Sequence, residues 1–478
     1  MKVGSASIKV WVSDHIMITK FATHQRTGRP NLICLYWYTS YVVCEPETQV
    51  LIVAKLAFSL TLNIVQIYTI PKFRFIDLFS GVGGFHQAMS SLGGECVLAS
   101  DIDRRCNLVY ETNYGIRPVT DIRNIAAEDV PDHDVLCAGF PCQPFSKGGS
   151  REGFADTTRG TLFYEILRIA EHKKPRYLIL ENVPNFVGHD SGNTWRTAIA
   201  SIREIGYIVS NIPIIISPHN LPEAMGGAPQ RRERVYILAQ HSKYASSELT
   251  ASDIQTQLQG MSVEKWDFAN WLNVHRGSDS ADKKYALSAN EKQWLLAWGH
   301  ILSKTGKGFS GGFPLWEKEF RVSARKKDLP DWKVKFHEKN RDYYKANRVK
   351  IDSWRKSRNI VAFPDSKRKL EWNVGTQYKG GANGIFHYLI QFRPSGIRIK
   401  APNYVGTLVA SVQTPIIGWE KRYLTPGEAG QLQGFPPTFK RDENDKAAYK
   451  QFGNSVNVAV VTLVAKGLLR FGTDGILS

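Results

Sequence analysis

A cysteine between two prolines is the residue of this chain that most suggests chemistry. Cys142 stands in the stretch AGFPCQPFSKGG, directly after the apolar run DHDVLCAGF. A structural thiol usually sits inside a strand or helix as a small hydrophobe, whereas this one lies in a loop. The flanking prolines restrict the backbone and hold the direction of the thiol. Where its surroundings favour the thiolate, such a cysteine is a nucleophile.

An acid and two arginines complete a possible catalytic set. The apolar run RYLILENV ends in Glu181, 39 residues after the cysteine, and PQRRERVYIL carries Arg232 and Arg234. A glutamate that ends a strand is usually solvated or a cap, and an RxR pair is usually a surface charge run. A catalytic role for these residues is therefore indicated only by the ordered set of motifs in which they occur.

A glycine-rich turn and an acid indicate a nucleoside ligand. DLFSGVGGF has glycines at 81, 83 and 84, where a backbone must come close to a ligand, and Asp101 ends the next predicted strand at a distance suited to ribose hydroxyls. The turn is not GxGxxG and has no Walker lysine, so a pyrophosphate or triphosphate does not suit it. S-adenosylmethionine fits this pattern, although such turns followed by an acid also arise by chance.

The elements that must position these residues alternate between strand and helix. Strands are predicted at KFRFIDLF, ECVLASDI, DVLCAGF, RYLILENV, YIVSNIPIIIS and RVYILA, and helices at FHQAMSSLGG, RRCNLVYETNY, TLFYEILRIAEHKK and NTWRTAIASIREIG. This alternation predicts an α/β fold with a mostly parallel sheet and helices on both faces. Ligands of such sheets bind beyond the carboxyl ends of the strands.

Composition indicates a globular protein with a polyanionic partner. The chain has 478 residues, 42% of them hydrophobic, and a formal net charge of +18, which favours a nucleic acid as partner. The six cysteines show no CxxC pair and neither a disulfide nor a zinc pattern, so we expect a reducing compartment, the cytoplasm, and no metal.

The first 70 residues read differently from the rest. Two apolar runs, NLICLYWYTSYVV and VLIVAKLAFSLTLNIVQIYTI, occur here, and Lys55 interrupts the second. A membrane anchor and upstream sequence translated from a misassigned start both remain possible, whereas a signal peptide fits poorly. This segment is uninformative about function.

The chain from residue 72 onwards resembles the bacterial cytosine-C5 DNA methyltransferases, which have a Rossmann-like S-adenosylmethionine-dependent fold. The family's ordered blocks appear as DLFSGVGGF, ASDID, TDIRNI, GFPCQPFS, RGTLFYEI, ENVPNF, PQRRERVYIL, RYLTPGEAGQLQGFP and QFGNSVNVAV. The resemblance implies four segments: an N-terminal extension at 1–70, a catalytic and cofactor-binding part at 71–240, a smaller target-recognition domain at 241–415, and a return to the catalytic domain at 416–478.

The resemblance implies covalent catalysis. Cys142 would add to C6 of cytosine, Glu181 would protonate or hydrogen-bond N3, and Arg232 would steady the base carbonyl and the Glu181 side chain, with Arg234 in support. Methyl transfer to C5 would be followed by proton loss and elimination of the cysteine. The cytosine would have to be flipped out of the duplex, with the loop 142–160 closing over it.

The binding residues that the resemblance implies form two groups. The first group would bind the cofactor: Phe79 would pack on adenine, residues 81–84 would line the methionine portion, and Asp101 would hold the ribose. Asp121 and Ile122 would approach the adenine edge. The whole group comprises Phe79, Gly81, Val82, Gly83, Gly84, Asp101, Ile102, Asp121, Ile122, Leu162, Asn454 and Ser455. Ile102 stands where family members often carry an aromatic. The second group would contact DNA and comprises Pro141, Gln143 and Ser146.

The segment 241–415 should read DNA. From Glu317 to Glu371 it carries 18 Lys or Arg against 9 Asp or Glu, and WKVKFHEKNRDYYKANRVKIDSWRKSR predicts a helix or helix pair with a basic face. Its aromatics, Trp332, Tyr343, Tyr344 and Trp354, suit a small core at least as well as a DNA surface. RPSGIRIKAPNYVGTLVA is a second candidate for groove contact.

Two other functions and several partners remain open at this level. Methylation of transfer RNA is one alternative, disfavoured by the long basic segment, and a catalytically silent DNA-binding relative is the other, disfavoured by the presence of Cys142, Glu181 and Arg232. We expect double-stranded DNA as substrate, a cognate restriction endonuclease as functional partner, a monomer, nucleoid association and no membrane partner. A solitary or phage-borne enzyme would have the same sequence features.

Overall fold

The computed structural model describes residues 72–141, 162–244, 265–305, 314–321, 330–374, 378–408 and 413–469, together with five strands in the first 71 residues. The chain divides into two compact units, Met1–Pro71 and Lys72–Ser478. The predicted nucleophile and the loop behind it, residues 142–161, lie outside the described residues.

Within its described residues, the N-terminal unit consists of paired strands. A hairpin joins β1 and β2, with Gly4 opposite Thr23, and three short strands pair in the order β3-β4-β5. The bounds are β1 Gly4–Val12, β2 His15–Thr23, β3 Cys44–Glu45, β4 Thr48–Leu51 and β5 Tyr68–Thr69. Most of the two apolar runs of this unit lies outside the described residues.

A seven-stranded sheet forms the centre of the second unit, in the order β10-β12-β9-β8-β6-β7, with β11 paired to β12. Its strands are β6 Phe73–Leu78, β7 Gly94–Ser100, β8 Val135–Gly139, β9 Tyr177–Asn182, β10 Tyr207–Val209, β11 Ile214–Ile216 and β12 Arg234–His241. The four strands from β7 to β9 are parallel, whereas β12 runs antiparallel to β9, β10 and β11. The α/β prediction is confirmed, with antiparallel strands confined to one side.

Helices cover both faces of this sheet. Among the described residues of this unit, the α-helices are α1 Gly84–Ser91, α2 Arg104–Tyr114, α3 Leu162–Lys173, α4 Asn185–Gly188, α5 Asn193–Glu204, α6 Phe268–Val274, α7 Ala289–Thr305, α8 Asp331–Ala346, α9 Arg348–Ser357, α10 Pro426–Leu432, α11 Asp445–Asn454 and α12 Val458–Leu469. Alternate strand residues point to opposite faces, so Phe75 packs into the core that α1 and α12 cover, and Ile76 into the core that α3 and α5 cover. The C-terminal helix α12 packs against the first helix, α1.

A second sheet has a core of its own. Its order is β13-β14-β16-β15-β17-β18, and Trp298, Trp354 and Trp372 are among the residues buried in the core beside it. The strands are β13 Pro314–Trp316, β14 Lys369–Asn373, β15 Leu389–Arg393, β16 Gly396–Lys400, β17 Ile416–Ile417 and β18 Arg422–Tyr423. The last two extend beyond residue 415; the boundaries at 240 and 415 remain predictions.

The predicted basic helix pair is α8 and α9, and the three of its aromatics whose side chains are described face inward. Trp354 is 1% exposed and its indole N–H donates to the carbonyl of Ala297 at 2.6 Å. The Tyr343 hydroxyl donates to Thr305 Oγ1 at 2.9 Å, and the ring of Tyr344 stacks on Phe320. These aromatics therefore belong to the second core. The side chain of Trp332 lies outside the described residues.

Within the described residues, one helical stretch is long and apolar enough to cross a membrane. This stretch, Asp445–Leu469, contains α11 and α12, and 83% of its apolar window is buried inside the protein. Such burial is typical of core helices.

Candidate active site

The turn after β6 keeps an open space in front of its backbone. Gly81 has φ +54°, and a Cβ built on it would meet no atom within 4 Å. Its N–H donates to Oδ2 of Asp101 at 2.8 Å, and the N–H of Ser80 donates to the carbonyl of Ser100 at 3.0 Å. Phe79 also has a positive φ of 56° and remains partly exposed. The turn therefore presents backbone and one aromatic ring at the carboxyl ends of β6 and β7.

Two later glycines of the turn are required by close packing. A Cβ on Gly83, whose φ is +88°, would lie 2.3 Å from the ring of Tyr114. A Cβ on Gly84 would lie 2.6 Å from Ser455 Oγ and 2.7 Å from a methyl of Val456. Val82, between Gly81 and Gly83, is 1% exposed. These two positions let α2 and the C-terminal segment contact the turn directly.

Asp101 is held in place by backbone donors. Besides Gly81, the N–H of Asp103 donates to its Oδ1 at 2.8 Å. Burial raises the pKa of Asp101, and these two hydrogen bonds oppose the rise. Ile102 beside it is 70% exposed, which is unusual for a large aliphatic side chain. An acceptor for hydroxyls therefore stands next to an uncovered apolar surface.

A parallel β-bridge just before Asp121 and Ile122 brings these two residues to the carboxyl end of β7. Val119 bridges Ser100, with the N–H of Asp101 donating to the Val119 carbonyl at 3.0 Å. Asp121 then caps a short 3-10 turn and forms an ion pair with Arg123 at 2.7 Å, which holds the pKa of this carboxyl below its usual value. Ile122 is 3% exposed and packs under the sheet.

The remaining predicted cofactor residues come from distant parts of the chain. Leu162 is the first residue of α3 and is partly exposed. Asn454 ends α11 and is exposed, whereas Ser455 is 6% exposed and lies against Gly84. The close approach of Ser455 to Gly84 places the QFGNSV segment beside the first strand-to-helix turn.

Glu181 and Arg234 form a buried ion pair at the end of β9. Arg234 Nε lies 2.9 Å from Glu181 Oε1, and the two side chains are 13% and 9% exposed. The antiparallel register places Val235 opposite Asn182, so the two charged residues come from adjoining strand ends. Burial raises the pKa of Glu181, while Arg234 and then Arg232 oppose the rise. A carboxyl with a raised pKa suits a proton donor.

The guanidinium of Arg232 contacts the backbone of the C-terminal segment, and its predicted role at the base carbonyl remains a prediction. It is 2% exposed, and its NH groups donate to the carbonyls of Gly453 at 3.0 Å and Ser455 at 2.7 Å. Burial lowers its pKa to about 10, so it stays charged near neutral pH. The ion pair with Glu181 is made by Arg234, the first residue of β12, whereas the Arg232 guanidinium, two residues earlier, donates to the backbone carbonyls of the C-terminal segment.

The end of β8 delivers the chain to the predicted nucleophile. Gly139 pairs with Glu181 in parallel register, and Pro141, two residues later, is exposed. The side-chain amide of Asn182 donates to the carbonyl of Phe140 at 3.1 Å and thereby fixes the peptide before Pro141. Cys142, Gln143 and Ser146 follow outside the described residues, so their predicted roles remain predictions.

Sequence reasoning did not identify several residues that support the site. The Tyr114 hydroxyl donates to the carbonyl of Gly83 at 3.0 Å, and its ring stacks on His86 with centroids 3.8 Å apart. His86 Nδ1 lies 2.8 Å from the Tyr110 hydroxyl, which in turn donates to the fully buried Asp77. In the sequence, the two tyrosines of the predicted helix α2, Tyr110 and Tyr114, were the features that could have indicated this support.

The described residues fit S-adenosylmethionine. The space at Gly81 leaves room for a ligand against the backbone, Asp101 offers carboxylate lone pairs, and exposed Ile102 and Asn454 offer an apolar wall and an amide. No group of three or more metal-ligating side chains occurs in the described ranges.

Comparisons with known proteins agree with this geometry. The profile of the family "C-5 cytosine-specific DNA methylase" matches residues 73–470. The chain is similar to the Type II methyltransferase M.AluI of Cellulosimicrobium cellulans, with 34% identity over 84% of this chain and 92% of that protein. It is also similar to M.HhaI of Haemophilus parahaemolyticus, with 30% identity over 82% and 93%, and to M.HpaII of Haemophilus parainfluenzae, with 31% over 83% and 89%.

The family match covers the glycine turn, the Glu181–Arg234 pair and the second sheet alike. It favours DNA over transfer RNA as the methylated nucleic acid, and S-adenosylmethionine is the methyl donor that a methyltransferase of this family implies. The chain therefore belongs to the C-5 cytosine-specific DNA methylase family and is a DNA cytosine-5 methyltransferase.

Proposed function

We propose that this enzyme methylates C5 of a flipped cytosine within a specific duplex sequence through a covalent adduct of Cys142. The observation that carries this proposal is the buried Glu181–Arg234 pair, which stands at the strand edge where β8 leads into the proline-flanked cysteine. In the proposed site, this pair would supply a proton donor and a cation to the segment that continues into Cys142. A surface salt bridge would not need such burial.

The thiolate of Cys142 adds to C6 of the target base and thereby makes C5 nucleophilic. Charge that accumulates on N3 is met by Glu181, whose raised pKa lets it donate a proton or a short hydrogen bond. After C5 has been methylated, its proton leaves and the cysteine is eliminated, so the thiolate is regenerated. Covalent catalysis thus divides one difficult step into easier ones.

The two arginines divide their work. Arg234 holds Glu181 through their ion pair and would support it when the base is bound. Arg232 holds the C-terminal segment to the sheet through Gly453 and Ser455, and so acts on the pocket as a whole. Both roles follow from which partners each guanidinium has.

The cofactor residues are proposed on their placement at one sheet edge. When bound, S-adenosylmethionine supplies an electrophilic methyl group. Asp101 would accept from the ribose hydroxyls, and the open backbone at Gly81 would adjoin the methionine portion. Other members of the proposed pocket are Phe79, Val82, Gly83, Gly84, Ile102, Asp121, Ile122, Leu162, Asn454 and Ser455. Pro141, Gln143 and Ser146 would contact the DNA.

The proposed biological role is that of a modification enzyme in a restriction-modification system. The supporting observation is that the relatives described above are named Type II methyltransferases. A cognate endonuclease would be a functional partner, and the enzyme would act as a monomer on DNA in the bacterial cytoplasm, at the nucleoid. The segments 71–240 and 416–478 would form the catalytic domain and 241–415 the recognition domain.

Transfer of labelled methyl groups to bacterial genomic DNA, followed by bisulfite sequencing, tests the proposal. The wild type should label cytosines in one short sequence, and Cys142→Ser should label none while still binding the cofactor. Cys106→Ala is the matched control, because it removes a buried thiol in α2 whose pKa is raised by burial. Labelling by Cys142→Ser at the wild-type rate would rule out the covalent route.

A further inference from the structure

Lys400, the last residue of β16, carries a charge that no described carboxylate neutralises. Its side chain is half-buried, and its ammonium lies 4.7 Å from the centre of the Tyr404 ring. The charged groups that act on it are two cations, Arg398 and Arg231. Burial first, and then these arginines, lower the pKa of Lys400 to about 8. An ammonium in such a place is unfavourable unless an anion joins it.

Both arginines already have carboxylate partners. Arg398 pairs with Glu371 at 2.8 Å, and Arg231 pairs with Glu233 at 2.9 Å. The Arg231 side chain also hydrogen-bonds Tyr404, the residue whose ring the Lys400 ammonium faces. The region is therefore positive near Lys400, and His219, whose ring is 5.5 Å from Tyr404, has a pKa lowered by burial, Arg231 and Lys400 despite an opposing effect of Glu233.

The segment that follows Lys400 is hydrogen-bonded to the chain just before Arg232 and Arg234. The N–H of Arg231 donates to the carbonyl of Val405 at 2.9 Å, and the N–H of Val405 donates to the carbonyl of Pro229 at 2.9 Å. The Thr407 hydroxyl donates to the carbonyl of Arg231 at 3.0 Å. The segment after Lys400 is thus joined to the chain that leads into Arg232 and Arg234, so an anion held here would lie beside the proposed active site.

We propose that Lys400 and Arg231, with the ring of Tyr404, bind a backbone phosphodiester of the DNA substrate. Phosphate is the anion that suits this place, because the enzyme's substrate presents a row of phosphates and a guanidinium and an ammonium are the side chains that bind them. The site positions the duplex at the catalytic edge and carries no sequence information itself. This inference rests on the proposed function, which brings duplex DNA to that edge.

Lys400→Gln tests the site through the salt dependence of DNA binding. The probe is a duplex that contains the sequence found by bisulfite sequencing, and its dissociation constant is measured over a range of KCl concentrations. Loss of one phosphate contact should lower the slope of log affinity against log salt by about one and weaken binding roughly tenfold at low salt. Lys466→Gln, which removes an exposed charge from α12, is the matched control and should leave the slope unchanged.

A second arm identifies the phosphate itself. Duplexes with a single neutral methylphosphonate at successive positions are bound to wild type and to Lys400→Gln. At one position the substitution should weaken the wild type but have no further effect on the variant, since the two changes remove the same contact. Additive losses at every position would overturn the proposal.

Other outcomes separate this site from the proposed function. An unchanged salt slope for Lys400→Gln would overturn the site, and so would a parallel loss of cofactor affinity and thermal stability, which would make Lys400 a structural residue. Failure of the wild type to bind or label duplex DNA would instead reject the proposed function, and this inference with it. The proposed function is tested by the DNA binding and labelling of the wild type alone, whereas the phosphate site is tested by the difference in DNA binding between Lys400→Gln and the wild type.

Discussion

Arg234 Nε contacts Glu181 Oε1 at 2.9 Å, and this pair joins the last residues of β9 to the first residue of β12. The contact sets two opposing effects on one carboxyl, because burial raises the pKa of Glu181 and the arginine lowers it. The pKa of Glu181 therefore depends on the balance between its burial and the charge of Arg234. Replacing either residue separates the two effects.

Glu181→Gln keeps the shape of the side chain and removes its proton. If Glu181 is the acid at N3, the rate of methyl transfer should fall by at least roughly a hundredfold. The affinity for S-adenosylmethionine should stay within about twofold of wild type, since the pair lies beyond the cofactor turn. Single-turnover transfer and equilibrium cofactor binding measure the two quantities. A variant that transfers methyl groups at the wild-type rate would exclude this role.

The pH dependence of the transfer rate should follow the Glu181–Arg234 pair. The protonated acid is required, so the rate should decline on the alkaline side as Glu181 loses its proton. Arg234→Gln removes the group that lowers this pKa, and the alkaline decline should therefore move to higher pH while the rate itself falls. Arg234→Lys keeps the charge and should restore part of the wild-type profile. An alkaline decline at the same pH in all three proteins would assign it to another group.

Tyr114 should tune cofactor affinity without contacting the cofactor. Its hydroxyl donates to the carbonyl of Gly83 and holds the turn that precedes α1. Tyr114→Phe removes one hydrogen bond of about 1 kcal/mol, so the cofactor dissociation constant should rise about fivefold, with DNA affinity unchanged. Tyr449→Phe, which removes a hydroxyl bonded to the Leu424 carbonyl, is the matched control and should bind cofactor normally. Equal effects of the two variants would contradict a positioning role.

Gly84→Ala should displace the C-terminal segment. The added methyl would overlap Ser455 and Val456, and overpacking of this kind costs about 1–3 kcal/mol. We expect a lower midpoint of urea unfolding and a weakened cofactor site, measured by fluorescence and by titration with S-adenosylmethionine. Gly188→Ala is the control, because a Cβ there would meet nothing within 4 Å. If Gly84→Ala matched this control, the close approach would not matter to the site.

His86 should make the protein less stable in acid. Burial lowers its pKa from 6.5 to about 4, so below pH 6.5 the unfolded chain takes up a proton that the folded protein refuses. Stability is therefore complete above pH 6.5 and declines as the pH falls towards 4, by about 3 kcal/mol from this residue. His86→Gln should flatten this decline in urea unfolding measured across that range. The same decline in both proteins would assign it to other groups.

Most strands and helices of the unit built around the first sheet were predictable from local sequence. The pattern RRCNLVYETNY predicted the helix that the structure places at Arg104–Tyr114, because Asp103 caps its start and Gly115 ends it in a left-handed conformation. The second sheet was not predicted. Two of its strands, β17 and β18, have only two residues each, and their partners are set by long-range pairing rather than by periodicity.

The sequence predicted which residues lie at the candidate site better than it predicted the contacts between their side chains. The glycine turn, Asp101 and Glu181 meet at one sheet edge because parallel strands end together, which topology alone ensures. Which arginine reaches Glu181 depends on the side-chain direction at the start of β12, and no pattern in PQRRERVYIL distinguishes the two. The support that Tyr114 gives to Gly83 depends on the packing of α2 against α1, which a single sequence does not reveal.

The carbonyl acceptors of Arg232 have a consequence for biosynthesis. Gly453 and Ser455 emerge from the ribosome more than two hundred residues after the arginine that they hold. Until then, the buried guanidinium lacks two of its acceptors and Gly84 lacks its neighbour Ser455. A nascent chain therefore carries the proposed nucleophile, Cys142, long before the C-terminal segment can complete the pocket, so we expect methylation competence only after residues 453–455 have been translated.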